Sequence, residues 1–328
     1  MRERYRPTII VDSKGTEEMV SPAKVIPPEN IIALPGKKEI AVDWRRNFER
    51  MKEIREAWKE VFPYQDEITV NLDAIAEYPD KPYLIWWMSD AHVGNVDCDY
   101  DTLKRHIELI ENTPNTGIIT CGDDIDNAIL SKYEVRFMQA FPPYIQAFTL
   151  EDLMAELNGR NPREKQLILA HCIGNHTHTL MEQSGYLFEK FYEQSKAGIL
   201  PGMGEVFINY GNQEYEIALA HRYVGTSRLN MTLAPKRLME YGYPNADIAV
   251  VAHSHKKVFE QFTKGGKWHT AVRPGTYRVG TDLFEKARGW GAGEIGGSCS
   301  VIYPDKLEVK QYNDIDIAID DLKRELTL

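Results

Sequence analysis

The sequence predicts an α/β fold with mixed β-sheets, in a chain of 328 residues. From about residue 81 onwards, short and continuously apolar stretches are typical of strands buried on both faces: "PYLIWWMSD", "GIITCGD" and "QLILAHCIGN". Helical stripes alternate with them. Leu103, Ile107 and Ile110 form one, and Leu187, Phe188, Phe191 and Tyr192 form another. Helices that alternate with buried strands are typical of the α/β class.

The second half of the sequence predicts further strands and one helix. "VFINYGNQEYEIALAH" has the pattern of a β-hairpin that turns at Gly211-Asn212. "MTLAPKRLMEYG" is helical in pattern, but we expect an interruption near Pro235, because proline lacks the N–H that a helix interior needs. Three more segments predict strands: "ADIAVVAH", "GSCSVIYP" and "KLEVKQY".

Residues 1–80 differ from the rest and predict an N-terminal arm followed by an amphipathic helix. In "VDWRRNFERMKEIREAWKEVF" the apolar residues recur every three or four positions: Trp44, Phe48, Met51, Ile54, Trp58 and Val61. We expect this stripe either to cover the main domain or to form a homo-oligomer. The predicted organisation is therefore 1–80, a main domain over 81–315, and a C-terminal tail over 316–328.

Composition limits the classes of function. With 43% apolar and 27% charged residues the chain is ordinary for a soluble globular protein. No apolar run approaches the roughly 20 residues of a membrane helix, and "MRERYRP" lacks the apolar core of a signal peptide. The four cysteines form no CxxC pair. These observations predict a cytoplasmic protein with reduced thiols and no membrane partner.

The charge of the chain is acidic overall but unevenly distributed. The net charge of −10 argues against indiscriminate binding of duplex DNA through a uniformly basic surface. Between Arg222 and Trp290, however, twelve Lys and Arg residues stand against five Asp and Glu residues. This stretch is either a solvated face or a surface that attracts an anionic substrate.

Six of the nine histidines follow predicted strands directly. The segments after the strands read "SDAHVG", "GDDID", "NHTH", "HRY" and "HSH", and the six histidines are His92, His176, His178, His221, His253 and His255. Because ligand sites in α/β sheets gather at the carboxyl ends of strands, we expect these groups to lie together. Imidazole nitrogens mixed with carboxylate and amide oxygens suit Mn, Fe, Zn or Co better than Ca or Mg alone.

These segments together resemble the signature of the calcineurin-like metallophosphoesterase superfamily. The matching blocks occur in order along the chain: Asp90-x-His92, Gly122-Asp123-x-x-Asp126, Gly174-Asn175-His176, His221 and His253-x-His255. The resemblance implies two mixed β-sheets packed as a sandwich flanked by helices, with a centre of two divalent metal ions, manganese being expected and Fe, Zn or Co the alternatives. It places Asp90, His92 and His255 on the first ion and Asn175, His221 and His253 on the second, with Asp123 bridging the two.

The resemblance also implies a mechanism. Two cations lower the pKa of a shared water, and the resulting hydroxide attacks phosphorus in line. His176 stabilises the developing charge or protonates the leaving oxygen. Asp126 is expected to orient a ligand imidazole, with a purely structural carboxylate as the alternative.

Two positions depart from the usual pattern of the superfamily. Thr177 follows Gly174-Asn175-His176 where the family usually has Asp or Glu, so the orientation of His176 needs another partner; the Thr177 hydroxyl and His178 are the candidates. Ala252 stands in place of the usual glycine before His253, a small change.

The substrate is the least defined prediction. The basic stretch favours a phosphodiesterase, and the hairpin that precedes the two histidines is similar to the layout of the superfamily's repair exonucleases. This resemblance implies nuclease activity, with nucleic acid as a candidate substrate. Arg222, Lys256, Lys257 and Arg273 are the candidate phosphate contacts, each with an ordinary surface cation as the alternative. A phosphomonoesterase acting on a small molecule or phosphoprotein is the main alternative. A non-catalytic scaffold is another, although all seven ligand positions are filled.

Overall fold

A computed structural model of the chain describes residues 8–11, 17–20, 48–53, 65–127, 138–184, 196–225, 227, 229–280 and 292–327. The chain divides into two compact units, Met1–Trp58 and Lys59–Leu328. In the first unit, β1 (Thr8–Val11) and β2 (Glu17–Val20) pair antiparallel, and residues 48–53 are helical. Much of the predicted N-terminal stripe lies outside the described residues, as does the stripe over 187–192, so the predicted homo-oligomer stays a prediction.

The second unit contains two six-stranded sheets, each of which is mixed. The first sheet has the order β14-β13-β4-β5-β6-β7 and the second the order β11-β12-β10-β9-β8-β3. In the first sheet β4, β5, β6 and β7 pair parallel, whereas β13 pairs antiparallel with both β4 and β14. In the second sheet β11 pairs antiparallel with β12, and β8 with β9. The other pairs of that sheet, β12 with β10, β10 with β9 and β8 with β3, are parallel. The strands are β3 (Glu67–Asn71), β4 (Tyr83–Met88), β5 (Thr116–Thr120), β6 (Ile168–Cys172), β7 (Gly198–Leu200), β8 (Met203–Tyr210), β9 (Gln213–Ala220), β10 (Ile248–Val251), β11 (Lys257–Lys264), β12 (Lys267–Pro274), β13 (Ser298–Ile302) and β14 (Val309–Tyr312).

Helices cover the outer faces of both sheets. They are α1 (Tyr100–Glu111), α2 (Pro143–Leu157), α3 (Asn175–Ser184), α4 (Leu233–Tyr241) and α5 (Ile315–Leu326). Apolar residues of α1, α2 and α5 share a core with one face of the first sheet. The helix α4 packs on small residues of the second sheet, among them Ala218 and Ala249. The layers therefore run helix, sheet, sheet, helix.

The strand β4 explains why the central strands are apolar without interruption. Its alternate side chains point to opposite faces. Trp86 belongs to the core under the helices, whereas Ile85 and Trp87 belong to the core between the sheets. Every residue of β4 is buried because both faces are covered. The predicted α/β sandwich of two mixed sheets with outer helices is thus confirmed.

Several elements differ in detail from the sequence prediction. The hairpin at Gly211-Asn212 is present, since β8 and β9 pair up to Tyr210 and Gln213. Pro235 does not interrupt a helix, because α4 begins at Leu233 and Pro235 lies in its first turn, where its missing N–H would have no partner. The compact unit also extends beyond 81–315: β3 belongs to the second sheet, and α5 packs on β4 and β13.

Among the described residues, none of the helices combines the length and apolar character that crossing a bilayer requires.

Candidate metal centre

The candidate ligands lie at one edge of the two sheets, just beyond the carboxyl ends of five strands. Asp90 and His92 follow β4, Asp123 follows β5, and Asn175 follows β6 in the first sheet. His221 follows β9, and His253 and His255 follow β10, in the second sheet. Backbone hydrogen bonds join the loops: Asp90 N donates to Gly122 O and His92 N to Asp123 O, both at 3.0 Å. The structure therefore brings together segments that are far apart in sequence.

The first group of donor atoms contains Asp90, His92 and His255. The Nε2 atoms of His92 and His255 are 3.1 Å apart, and His255 Nε2 is 3.4 Å from Asp90 Oδ1. Asp90 is fixed through its other oxygen, which accepts hydrogen bonds from the Ser89 hydroxyl and from His253 N. Its main-chain carbonyl accepts from the Thr276 hydroxyl and from Tyr277 N.

The second group contains Asp123, Asn175, His221 and His253. His221 Nε2 is 3.0 Å from Asp123 Oδ2 and 3.1 Å from Asn175 Oδ1, and His253 Nδ1 is 3.9 Å from the same Asp123 oxygen. His221 Nδ1 donates a hydrogen bond to the carbonyl of Cys121 at 2.9 Å. When the ring is neutral, its Nε2 therefore carries no proton and faces the other candidate ligand atoms. Asp123 Oδ1 accepts from His176 N at 2.9 Å, which leaves Oδ2 for the group.

The backbone at these positions is unusual. Five of the candidate ligands have positive φ angles between 46° and 64° although none is glycine: Asp90, His92, Asp123, His253 and His255. Such left-handed residues cost about 1 to 3 kcal/mol each and persist only where the surroundings determine them. Strain of this kind concentrates at functional sites, and here it coincides with the residues that the motifs single out.

Two glycines allow the loops of the first sheet to approach each other closely. A Cβ on Gly174 would overlap the main-chain N and the Oδ1 atom of Asp123. A Cβ on Gly122 would lie 2.6 Å from His221 Nδ1, and Gly122 has a φ of +95°. Only glycine permits these contacts, so both glycines of the motifs have a steric explanation.

The electrostatics of the site favour ionised carboxylates. Burial favours the neutral acid, but the neighbouring His255 imidazole outweighs it and lowers the pKa of Asp90 to about 2. Burial acts likewise on Asp123, and the nearby His221 and His176 hold its pKa well below the usual range. Burial alone would lower the pKa of His221, but Asp123 outweighs it and raises that pKa to about 9.

These residues fit divalent cations. Asp90 Oδ1 and Asp123 Oδ2 are buried and accept no hydrogen bond from any described residue, although imidazole nitrogens lie close to both. A buried, ionised oxygen without a partner is costly unless a cation compensates it. Side chains of Asp and His form three clusters within the described residues whose ligand atoms lie within 4.8 Å of one another, and two of these clusters are the groups above. The mixed nitrogen and oxygen donors suit a transition metal.

The third cluster contains His92, Asp126 and His176. Asp126 Oδ1 accepts from His92 Nδ1 at 2.8 Å, which turns His92 Nε2 towards the first group. Burial favours neutral Asp126, but its bond with His92 outweighs this and lowers its pKa to about 2. Asp126 therefore lies behind a candidate ligand, where the sequence analysis places it.

His176 is held by the main chain rather than by a neighbouring side chain. Its Nδ1 donates to the carbonyl of Asp126, and its Nε2 is 3.9 Å from Asp123 Oδ2. Thr177 is buried, but its hydroxyl bonds to no described residue, and His178 is exposed. The Thr177 hydroxyl does not replace the family's usual carboxylate, and the carbonyl of Asp126 is a partner that holds His176.

The predicted substrate contacts differ in their surroundings. Arg222 is exposed next to His221. Lys256 Nζ donates to Ala292 O at 3.0 Å, and Lys257 Nζ donates to Ile295 O. Arg273 is only 4% exposed. It donates to protein oxygens instead of facing solvent, so the expectation that it contacts substrate is corrected.

Sequence reasoning did not identify three residues that surround the ligands. Gln139 donates to Asp126 Oδ2, and Gln146 Nε2 donates to Gln139 Oε1 at 2.8 Å. Asp124 is buried beside Asp123, and burial followed by the Asp123 charge raises its pKa to about 7. The double aspartate in "GDDID" signalled Asp124, but nothing in the spacing of the glutamines indicated a link to a metal ligand.

No protein-family model matches the chain, and no curated protein matches it. Among solved structures, the chain is similar to a predicted phosphoesterase from Streptococcus pneumoniae, with 14% identity, a TM-score of 0.32, and coverage of 71% of this chain and 91% of that one. It is similar to vacuolar protein sorting 29 from Cryptosporidium parvum, with 14% identity, a TM-score of 0.34, and coverage of 71% and 97%. It is also similar to the nuclease MPE from Pseudomonas putida, with 12% identity, a TM-score of 0.33, and coverage of 69% and 86%.

At these identities and scores the likeness adds nothing about the reaction. The assignment of fold depends on features of this chain: two mixed six-stranded sheets with outer helices, and the ordered motif residues gathered at one sheet edge. Both are what the resemblance implied. The chain therefore has the two-sheet architecture, and the gathering of motif residues at one sheet edge, that its resemblance to the calcineurin-like metallophosphoesterases implies.

Proposed function

We propose that this protein is a dinuclear-metal-dependent phosphoesterase, and specifically a phosphodiesterase with nuclease activity. The observation that carries the proposal is the pair of donor groups, one around Asp90 and one around His221, with Asp123 Oδ2 between His221 and His253. Seven candidate ligand residues in two groups are more than a single ion would need.

Asp90, His92 and His255 would hold one cation, and Asn175, His221 and His253 the other, with Asp123 shared by both. When bound, two such cations activate water as a nucleophile and neutralise charge on a phosphoryl oxygen. We propose manganese as the metal, because imidazole nitrogens and carboxylate oxygens are both present in each group.

The chain's own contribution to leaving-group departure comes from His176. Its Nδ1–H donates to a main-chain carbonyl, which fixes the orientation of the ring. The side chain is 22% exposed, so Nε2 is open to a substrate while Asp123 Oδ2 lies 3.9 Å away. A proton at Nε2 can therefore pass to the departing oxygen, which is worth about 10²- to 10⁴-fold in rate.

A diester is favoured by the basic stretch that surrounds the histidine pair. Arg222 is exposed beside His221 and is the best placed of the predicted cations to contact a second phosphate substituent or a neighbouring phosphate. Lys256, although it donates to Ala292 O, lies next to His255 and remains a proposed contact. A phosphomonoesterase remains the alternative function.

Hydrolysis of bis(p-nitrophenyl) phosphate and of p-nitrophenyl phosphate, each with added Mn²⁺, separates the two functions. We expect turnover of the diester that EDTA abolishes. Turnover of the monoester alone would replace the diesterase proposal by the monoesterase one. A panel of single-stranded DNA, duplex DNA, RNA and cyclic nucleotides then tests nuclease activity, with Asp123→Asn as the inactive control. If no phosphate ester is hydrolysed, the enzymatic proposal fails.

A further inference from the structure

A buried arginine, Arg273, lies close to the candidate metal centre. Arg273, the penultimate residue of β12, donates from Nε to Met231 O at 2.5 Å. Its Nη1 donates to Ser254 Oγ at 2.5 Å and to Ala252 O at 3.4 Å. Within the described residues no carboxylate lies at ion-pair distance from it. The acceptors of its hydrogen bonds among these residues are neutral oxygens.

Two of those partners, Ala252 and Ser254, belong to the loop that carries two candidate ligands. Ser254 lies between His253 and His255, whose φ angles are +64° and +54°. Ser254 N also donates to Ala252 O at 2.8 Å, so the chain turns tightly at this point. Two left-handed histidines around one serine need external support, since each conformation is unfavourable by itself. Arg273 supplies that support from the side of the protein interior.

The guanidinium suits this task because it is a rigid, planar fork. One edge reaches the main chain at Met231, in the segment that leads away from His221, and another reaches the serine hydroxyl and the carbonyl before His253. A lysine in this place would keep the charge but could not span both sides. Burial lowers the pKa of Arg273 only to about 10, so the guanidinium stays protonated at neutral pH and all its donors are available.

We infer that Arg273 is a positioning residue that sets the geometry of His253 and His255 for metal binding through its hydrogen bond to Ser254. The inference depends on the proposed metal centre, because it assigns Arg273 a role towards the ions and not towards substrate. It replaces the surface phosphate contact that the sequence analysis predicts for this residue.

The experiment measures Mn²⁺ binding by isothermal titration calorimetry and bound metal by elemental analysis, for full-length wild type, Arg273→Lys and Ser254→Ala. Electron paramagnetic resonance of the Mn²⁺-loaded proteins reports whether two ions are magnetically coupled. Arg163→Lys is the matched control. Arg163 is a half-buried arginine that donates to carbonyls and to a threonine hydroxyl at the start of β5, away from the candidate ligands, and it also pairs with Glu77.

We expect both Arg273→Lys and Ser254→Ala to bind Mn²⁺ about 10- to 100-fold more weakly and to lose the coupled signal, as substitutions behind metal ligands do. The control Arg163→Lys keeps both properties, although it lowers stability. If the losses of Mn²⁺ affinity are not additive in the double variant Arg273→Lys/Ser254→Ala, both substitutions act through the same hydrogen bond to the serine hydroxyl. Ser254→Ala removes one hydroxyl, so it decides the question even if Arg273→Lys does not fold.

Wild-type affinity and coupling in Ser254→Ala would overturn the inference and leave the proposed function intact. A wild-type protein that binds no Mn²⁺ would overturn the metal centre itself, and the inference with it.

Discussion

His92 Nδ1 lies 2.8 Å from Asp126 Oδ1, and both side chains are buried. The other carboxylate oxygen of Asp126 accepts from Gln139, whose own oxygen accepts from Gln146 Nε2. Gln146 Oε1 accepts in turn from Asn127 N at 3.0 Å. These hydrogen bonds form a continuous series from α2 to a candidate metal ligand, and each side chain in the series orients the next.

Asp126→Asn should therefore weaken metal binding, even though asparagine has the same shape. If the amide oxygen of the substituted side chain faces His92, its NH₂ group faces the NH₂ group of Gln139, and two donors cannot bond. We expect a 10- to 100-fold loss of Mn²⁺ affinity, roughly the effect of losing a partner of a ligand histidine. Calorimetric titration with Mn²⁺ measures it. Asp152→Asn, at an exposed site, is the control, and equal affinities for both variants would contradict the expectation.

Metal affinity should rise with pH between about 6.5 and 9. Burial alone would lower the pKa of His221. The neighbouring Asp123 outweighs burial and raises this pKa to about 9 in the metal-free protein. The protonated ring thus stabilises the metal-free fold at low pH, and this contribution is lost as pH rises through 9. A cation needs the neutral ring, so its apparent affinity increases by up to about tenfold per pH unit across that window. Titrations at several pH values measure the slope. His221→Asn should bind more weakly with a flatter slope, and an unchanged slope would rule out His221 as its source.

His176→Asn should impair turnover without removing the metals. The imidazole is absent from both metal groups, and its Nδ1 bonds to a main-chain carbonyl. We expect kcat to fall about 10²- to 10⁴-fold, most of all for esters with poor leaving groups, while bound Mn²⁺ is unchanged. His178→Asn is the control, because His178 is exposed two positions further along α3. A loss that is equal for good and poor leaving groups would argue against proton donation by His176.

Gly174→Ala should displace the shared carboxylate. The new methyl group would overlap the main-chain N and the Oδ1 atom of Asp123. We expect a loss of about 1–3 kcal/mol in the free energy of unfolding, as for other overpacked sites, together with loss of bound Mn²⁺. Gly265→Ala serves for comparison: it has a φ of +61° but open space around its Cβ, so its cost is conformational only. Denaturant unfolding and elemental analysis distinguish them, and a fully metal-loaded Gly174→Ala protein would show the prediction to be wrong.

The sequence predicts the centre of the fold better than its margins for a physical reason. Strands such as β4 are buried on both faces, and their continuous apolar letters are visible without any knowledge of the partners. The edge strand β3 alternates buried and exposed residues over five positions only, and it is a strand because β8 lies beside it. Pattern alone does not supply that neighbour.

The same contrast holds for the site. Donor residues that follow buried strands are recognisable from chain order, and the structure gathers them as the motifs imply, although their roles as metal ligands stay predictions. The environment of a basic residue is not recognisable in this way. Arg273 was indistinguishable from an exposed cation in the sequence, and its three acceptors come from segments up to 42 residues away. The role of Gln139 likewise becomes recognisable only from its hydrogen bond to Asp126 in the structure.

The hydrogen bond from His253 N to Asp90 Oδ2 joins positions 163 residues apart. Contacts of such long range form late, because the intervening chain must be ordered before they are gained. Each donor group draws residues from both sheets, so neither group is complete until the two sheets have come together. Occupation of both proposed metal positions would therefore require that the C-terminal half of the chain has already folded against the N-terminal half.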